Sequence, residues 1–317
     1  MTTQRWLITG GCGFIGTNLI IMLRQRIPNL TLCILDNLSI GRRETIMKID
    51  PSIEVREADI LDYKSCQNAC SDCNVVIHLA ASTGIAPSLN NPRVDFEINV
   101  RGTLNMLEAA REARVSSFIL ASSGAALGEV NPPYNEELAA KPTSPYGAGK
   151  LSCEGYTRAY TKSFGIPSTI LRFSNVYGPF SLHKNSVVAK CMKNVLEKKS
   201  IIIYGDGSQT RDFIFVDDLC EAILCAIQKK GCGEIFHIGT NRETSIKDLV
   251  ILIKQVIERE GKYRVETAHM QRSEWEVVRN YADSTKAKKD LGFSIRTNLR
   301  EGLQKTFDYF KESYTSQ

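Results

Sequence analysis

Thr9-Gly10-Gly11-Cys12-Gly13-Phe14-Ile15-Gly16 stands between an apolar run at 6–9 that reads as a strand and a run at 15–26 that reads as a helix. Glycines let a chain turn tightly and approach a pyrophosphate. The helix N-terminus that follows offers unpaired N–H groups and a favourable dipole. Alone, such a cluster could be no more than a tight turn. Asp36 lies twenty residues after Gly16, at the end of the next strand-like run, 31–35. A carboxylate there accepts hydrogen bonds from the adenosine ribose hydroxyls and repels a 2′-phosphate. Turn and carboxylate together predict dinucleotide binding with NAD preferred over NADP. Arg42 and Arg43, close by in sequence, make this a preference and not a requirement.

Outward from this turn the first half alternates strand-like runs at 31–35, 53–56, 75–79 and 117–121 with helical ones. The helix expected over 100–113 shows Val100, Leu104, Leu107 and Ala110 at helical spacing. Short crossovers of this kind give an α/β fold of Rossmann type, a doubly wound parallel sheet. A helix is expected from Lys150 to about Phe164 and a strand at 168–173 after Pro167. Beyond Gly178 the pattern loosens into longer loops with an apolar strand at 201–204 and a helix at 217–228. The expected division is a dinucleotide-binding domain over 1–176 and a smaller C-terminal α/β substrate-binding lobe over 177–317, with later segments free to return to the first sheet.

Composition narrows the function class. With 43% hydrophobic and 24% charged residues, the 317-residue chain has an ordinary globular balance. The formal charge of +5 is spread over both halves; Lys286, Lys288 and Lys289 read as one solvated helix face, so no nucleic-acid footprint is expected. The longest apolar stretch, 249–257, is broken by Lys254 and falls far short of the roughly 20 residues a membrane span needs. Residues 1–6 show no charged segment leading into a cleavable apolar one, and a cytoplasmic location is expected. Ten cysteines scattered over helices and strands suit a reducing compartment. Cys66, Cys70 and Cys73 have a spacing some iron–sulfur enzymes use, but they fall where a short helix is expected and read as ordinary helix cysteines. No metal site is expected.

Tyr146-Gly147-Ala148-Gly149-Lys150 places a phenol and an ammonium one helical turn apart on the same face. Taken alone, such a pair reads as a solvated face. A phenol, with a reference pKa of about 10, is a poor base at neutral pH; a neighbouring ammonium and an oxidised nicotinamide ring are what would ionise it. The glycine turn, and Ser122-Ser123 at the end of the strand over 117–121, supply that context.

These residues resemble the extended short-chain dehydrogenase/reductase superfamily, in its nucleotide-sugar epimerase and dehydratase branch. The resemblance covers nearly the whole chain: the turn at 9–16, Asp36-Asn37-Leu38, Ala58-Asp59-Ile60, His78-Leu79-Ala80-Ala81, Asn99, Ser122-Ser123, Tyr146 with Lys150, the run at 171–179 and the run at 204–218. It implies Ser123, Tyr146 and Lys150 as the catalytic group, with Ser123 holding the reacting hydroxyl. It implies NAD contacts from Gly10, Gly13, Phe14, Ile15, Gly16, Asp36, Asn37, Asp59, Ile60, Leu79, Ala80, Ala81, Asn99, Ser122, Tyr146 and Lys150. Substrate contacts are implied for Gly84, Ser88, Ser123, Asn175, Arg211 and Arg272, and a structural role for His78. Arg211 suits the pyrophosphate of a nucleotide sugar, with a charge-assisted contact. Arg272 stands four residues before Glu276, where the family's spacing is three.

The residues after Ser123 discriminate among reactions. The 4,6-dehydratases this chain resembles carry Asp-Glu there, because removing water needs an extra acid and base, and the decarboxylases carry a Glu where Ala125 stands. Gly124-Ala125 match the 4-epimerases instead, although those usually have a Tyr where this chain has Leu127. Asn280 stands where a bulky Tyr restricts some epimerases to plain hexoses. The expected activity is therefore NAD-dependent 4-epimerisation of a UDP-sugar through a 4-keto intermediate. Alternatives are a ketoreductase or dehydratase on the same sugar class, or a non-catalytic NAD-binding sensor or scaffold. The resemblance also implies a homodimer paired through the helices at 100–113 and 146–164.

Overall fold

The apolar runs of the first half are strands of one parallel sheet. In the computed structural model, which describes residues 4–229, 231–259, 261–271 and 277–315, the order is β1 (Arg5–Thr9), α1 (Phe14–Arg26), β2 (Thr31–Asp36), α2 (Arg43–Ile49), β3 (Glu54–Glu57), α3 (Tyr63–Cys70), β4 (Val75–His78), α4 (Ile85–Asn90) and α5 (Pro92–Phe96). A π-helical turn (Glu97–Arg101) leads into α6 (Gly102–Glu112), followed by β5 (Ser117–Ser123), a 3₁₀ turn (Gly124–Ala126), α7 (Pro145–Phe164) and β6 (Ser168–Phe173). The rest comprises β7 (Asn175–Tyr177), α8 (Val187–Leu196), β8 (Ile201–Tyr204), β9 (Thr210–Arg211), β10 (Phe213–Phe215), α9 (Val216–Gln228), β11 (Glu234–Ile238), β12 (Thr244–Ser245), α10 (Ile246–Glu258), β13 (Thr267–Met270), α11 (Thr285–Leu291) and α12 (Leu299–Thr315).

Seven strands form a parallel sheet in the order β11-β6-β5-β4-β1-β2-β3. The order reverses between β1 and β4, which opens a crevice at their C-terminal ends, the place where doubly wound sheets bind ligands. Covered on both faces, the inner strands β1, β4 and β5 carry apolar runs without alternation: Leu7, Ile8, Val76, Ile77, Phe118 and Ile119 are fully buried. Trp6, Ile8, Leu19, Ile34, Leu219 and Phe236 pack together on one face, and the cluster continues to Phe307 and Phe310 of α12. Leu7, Cys33, Val76, Met106, Phe118 and Cys153 pack on the other. Chain beyond 176 thus contributes β11 to the central sheet and α9 to the first of these clusters; the smaller pairings are β7–β10, β9–β12 and β8–β13.

Local chemistry sets the ends of the elements. The α7 helix begins at Ser144, whose Oγ accepts from Gly147 N (3.1 Å), has Pro145 in its first turn, and stops at Gly165 with φ +73°. Ser245 caps α10 by accepting from Asp248 N (3.0 Å). In α3, Cys66 and Cys70 face the core beside Cys73, and burial pushes all three thiols up, Cys66 to about 12 and Cys73 to about 11. Thiols so disfavoured as thiolates are inert packing groups. None of the helices among the described residues is long and apolar enough to cross a membrane.

Candidate active site

The glycine turn lies at the C-terminal end of β1. Gly10 adopts φ +67°, and a Cβ there would stand 2.8 Å from Ala80 N and 2.9 Å from Ala80 Cα, so only glycine lets this turn close against the strand end of β4. A Cβ on Gly16 would meet Gly11 Cα at 2.5 Å. The turn is tied down by Gly10 N donating to Leu35 O (2.9 Å) and Gly13 N to Gly10 O (3.1 Å). Gly13 is the N-cap of α1, and no side chain caps that helix; nor does its first turn carry an acid. Phe14 is buried and Ile15 half-buried behind it. An uncapped helix N-terminus facing a crevice, approached over backbone without Cβ atoms, fits a dinucleotide pyrophosphate. Asp36, at the end of β2, accepts from Cys12 N and Leu38 N through its two oxygens (2.9 Å each), which fixes the carboxylate beside the turn.

Along the same crevice, Asn37 Nδ2 donates to Asp59 Oδ2 (2.8 Å), while Asp59 Oδ1 accepts from Leu61 N (2.8 Å). Ile60 is buried against Gly102, where a Cβ would lie 2.5 Å from Ile60 Cδ1. Leu79, Ala80 and Ala81 continue from β4, with Leu79 N donating to Thr9 O (3.1 Å) and Ala80 N to Thr9 Oγ1 (3.2 Å). His78 is enclosed between Thr9 Oγ1 (2.7 Å) and Thr103 Oγ1 (3.1 Å), and burial, with the charge of Lys150 second, pushes it down to about 3. It is a neutral cross-link between β1 and α6. Asn99, in the π-helical turn, exchanges two 3.0 Å hydrogen bonds with the backbone of Ser82 and donates to Asp95 Oδ1 (3.0 Å), so its amide secures the loop after β4. Gly84 caps α4 with φ +112°, and the buried Ser88 donates to Ile85 O (2.7 Å) within that helix.

Tyr146 and Lys150 share a face at the start of α7. The Lys150 ammonium, buried, stands 6.0 Å from the Tyr146 ring centroid and donates to Ala121 O (2.9 Å), which locks it to β5. Ser123 ends β5; its Oγ accepts from Ala125 N (3.2 Å) and starts the 3₁₀ turn. A Cβ on Gly147 would stand 2.4 Å from Ala125 O, so glycine in the first turn of α7 is what lets the turn after Ser123 approach Tyr146. Ser122 points the opposite way along the strand and donates to Glu154 Oε1 (2.5 Å). Glu154, two turns along α7 from Tyr146, accepts from Arg172 Nε (2.9 Å) and Nη2 (2.7 Å), and Arg172 Nη1 lies 3.3 Å from His237 Nε2. Sequence reasoning missed this buried group. Its traces were Glu154 at i+4 from Lys150 and a lone charge, Arg172, in an otherwise uncharged strand.

On the far side of the cleft, Asn175 opens β7, where its N–H donates to Asp212 O (2.9 Å). Arg211 lies on β9, with Nη1 donating to Thr210 O (2.7 Å) and Val277 O (2.8 Å). Arg272 falls outside the described residues. Leu127 is fully buried, and the φ +68° of Gly128 lets the chain run against Lys141, whose carbonyl carbon a Cβ would reach at 2.5 Å.

This geometry has close parallels. The model of the NAD dependent epimerase/dehydratase family matches residues 6–239. A protein of Methanocaldococcus jannaschii with the provisional name UDP-glucose 4-epimerase is 38% identical over 97% of this chain and 98% of its own. The dTDP-D-glucose 4,6-dehydratase of Homo sapiens is 30% identical over 98% of this chain and 91% of its own. Among solved structures, the UDP-glucose 4-epimerase of Thermotoga maritima with UDP-glucose has a TM-score of 0.91 at 33% identity, covering 98% of this chain and 100% of that one. The chain belongs to the NAD dependent epimerase/dehydratase family, an enzyme family whose cofactor is NAD.

Proposed function

We propose that the chain inverts C4 of a UDP-linked hexose, N-acetylhexosamine or uronate through a transient 4-keto sugar. The observation that carries this reading is Tyr146 beside Lys150 at the start of α7, facing a turn after Ser123 that holds no carboxylate. The turn at 10–16, Asp36, Asp59, Ile60, Leu79, Ala80 and Ala81 would hold NAD, which supplies an acceptor for the C4 hydride and afterwards its donor. Tyr146 takes the proton of the C4 hydroxyl, and the Ser123 hydroxyl holds that group in place. The charge of Lys150 offsets the negative charge on the phenol oxygen, and its hydrogen bond to Ala121 O keeps that charge in position. Asn175 and Arg211 take the nucleotide-sugar end, where a guanidinium suits a diphosphate. Turning about its diphosphate, the keto sugar presents its opposite face, and Tyr146 returns the proton.

Loss of water across C5–C6 of the keto sugar, the C5 proton leaving with the C6 hydroxyl, would call for an acid and a base beyond Tyr146; Gly124 and Ala125 supply neither. The test is proton NMR and mass spectrometry on products from UDP-glucose, UDP-galactose, their N-acetyl forms and UDP-glucuronate. A product of unchanged mass with inverted C4 is expected. Tyr146→Phe should lower turnover by a factor of about 10² to 10⁴ with NAD binding kept. A product lighter by water or carbon dioxide, or full activity in Tyr146→Phe, overturns the reading.

A further inference from the structure

The loop between β7 and α8 carries Lys184, which no motif singled out. Its backbone is fixed: Ser181 Oγ donates to Gly178 O (2.6 Å), Lys184 N to Ser181 O (2.9 Å), and Lys193 Nζ on α8 to Lys184 O (2.9 Å). From this anchored turn the half-buried side chain crosses the cleft to the loop after β4 and donates to the Thr83 hydroxyl (2.9 Å). An ammonium has three protons to give, and Thr83 takes one. Among the described residues, no carboxylate lies within 4.0 Å of Lys184 or of Lys150; each ammonium bonds only to a neutral oxygen. Burial, and then the charge of Lys150, hold the Lys184 ammonium below its ordinary range. Asp95 feels the charge of Lys150 from beyond ion-pair distance, but among the described residues no carboxylate is paired with either cation at the reacting end of the cleft, an arrangement that a further anion would relieve.

We infer that Lys184 recognises a carboxylate on the sugar, so that the favoured substrates are nucleotide-linked uronates and not neutral hexoses. This rests on the reading that the cleft takes a nucleotide sugar. The chemistry of the ring favours the sugar over the diphosphate as the source of the anion. The C6 group sits on C5, next to the reacting C4, whereas the diphosphate leaves from C1 across the ring. The cofactor's own pyrophosphate belongs at the N-terminus of α1. A cation beside Lys150 therefore lies nearer the groups that flank C4 than the diphosphate, and among those groups only a C6 carboxylate is anionic.

The test is a set of titrations of the NAD-loaded protein with UDP-glucuronate, UDP-glucose and UDP, in the wild type, Lys184→Gln and Lys184→Arg. The wild type should bind UDP-glucuronate at least about tenfold more tightly than UDP-glucose. Lys184→Gln should erase that ratio while changing the affinities for UDP and NAD less than about threefold, and Lys184→Arg should keep most of it. Equal affinity of the wild type for the two sugars overturns the proposal. So does an equal loss for UDP and both sugars in Lys184→Gln, which would put Lys184 on the diphosphate, or a loss confined to NAD. NMR of the same samples reads the reaction separately: preferential uronate binding without inversion at C4 would sink the epimerase reading and leave Lys184 assigned.

Discussion

The pair Glu154–Arg172 lends itself to a quantitative perturbation. Both side chains are sealed, 3% and 4% exposed, and the carboxylate accepts three hydrogen bonds, two from the guanidinium and one from Ser122. Glu154→Leu leaves the guanidinium buried without its counter-ion, which costs about 3–5 kcal/mol. The lost partner of Ser122 adds roughly 0.5–1.5 kcal/mol. The expected total of about 4–6 kcal/mol is a large part of the 5–15 kcal/mol that holds a typical domain folded. At about 2 °C per kcal/mol for a chain of this size, the melting midpoint should fall by about 8–12 °C. Replacing both charges, Glu154→Leu with Arg172→Met, removes the stranded cation and should restore stability to within about 2 kcal/mol of the wild type. Urea unfolding of the wild type, Glu154→Leu, Arg172→Met and the double variant, without added NAD, gives the coupling energy of the pair. A double variant as unstable as Glu154→Leu, or a single-variant loss below about 1 kcal/mol, would show that the pair is not the sealed, coupled unit described.

Asp36→Ala removes the acceptor beside the turn and should weaken NAD binding about tenfold, or 1.4 kcal/mol, while narrowing the margin over NADP; unchanged NAD affinity by calorimetric titration would exclude Asp36 from the ribose. Acid should destabilise the fold through His78 and His237, both held by burial at about 3. An unfolded histidine takes a proton near 6.5. Between these values the unfolded chain binds a proton that the folded one refuses. Stability is thus full above about pH 6.5 and falls towards pH 3 by up to about 1.4 kcal/mol per pH unit for each histidine. His78→Gln should flatten the dependence of the urea midpoint on pH between 6.5 and 4.5; an unaltered slope contradicts the placement of His78.

Much of the first half is legible in sequence, because a strand buried on both faces leaves an unbroken apolar run and a phosphate turn needs glycine at fixed places. The runs at 168–173 and 201–204 match β6 and β8, and the helix expected from 217 begins one residue earlier as α9. The helix expected over 100–113 starts as α6 at Gly102, after a π-helical turn that repositions Asn99 and that leaves no periodic signature. Strands of two or three residues, such as β7, β9 and β10, are too short for any period to show. Nor does pattern reveal which strand lies beside which, so the place of β11 at the sheet edge was open. In the site, the turn, Asp36 and the Tyr146–Lys150 pair were visible because their spacing is local. Arg172 and Lys184 were not: the first meets Glu154 across a helix–strand interface, and the second meets Thr83 over 101 positions of chain.

The position of β11 bears on how the chain is made. On the ribosome β6 emerges at residue 173, but its outer neighbour begins only at residue 234. At 5–20 residues per second, roughly 3–12 seconds of synthesis separate the two. Throughout that interval Ile170 and Leu171 stand in an open sheet edge, the surface on which unpaired strands of neighbouring nascent chains associate. Slow translation between these codons therefore lengthens exposure of an adhesive edge, and the yield of soluble protein should respond to codon choice there more than in the stretch that encodes α12.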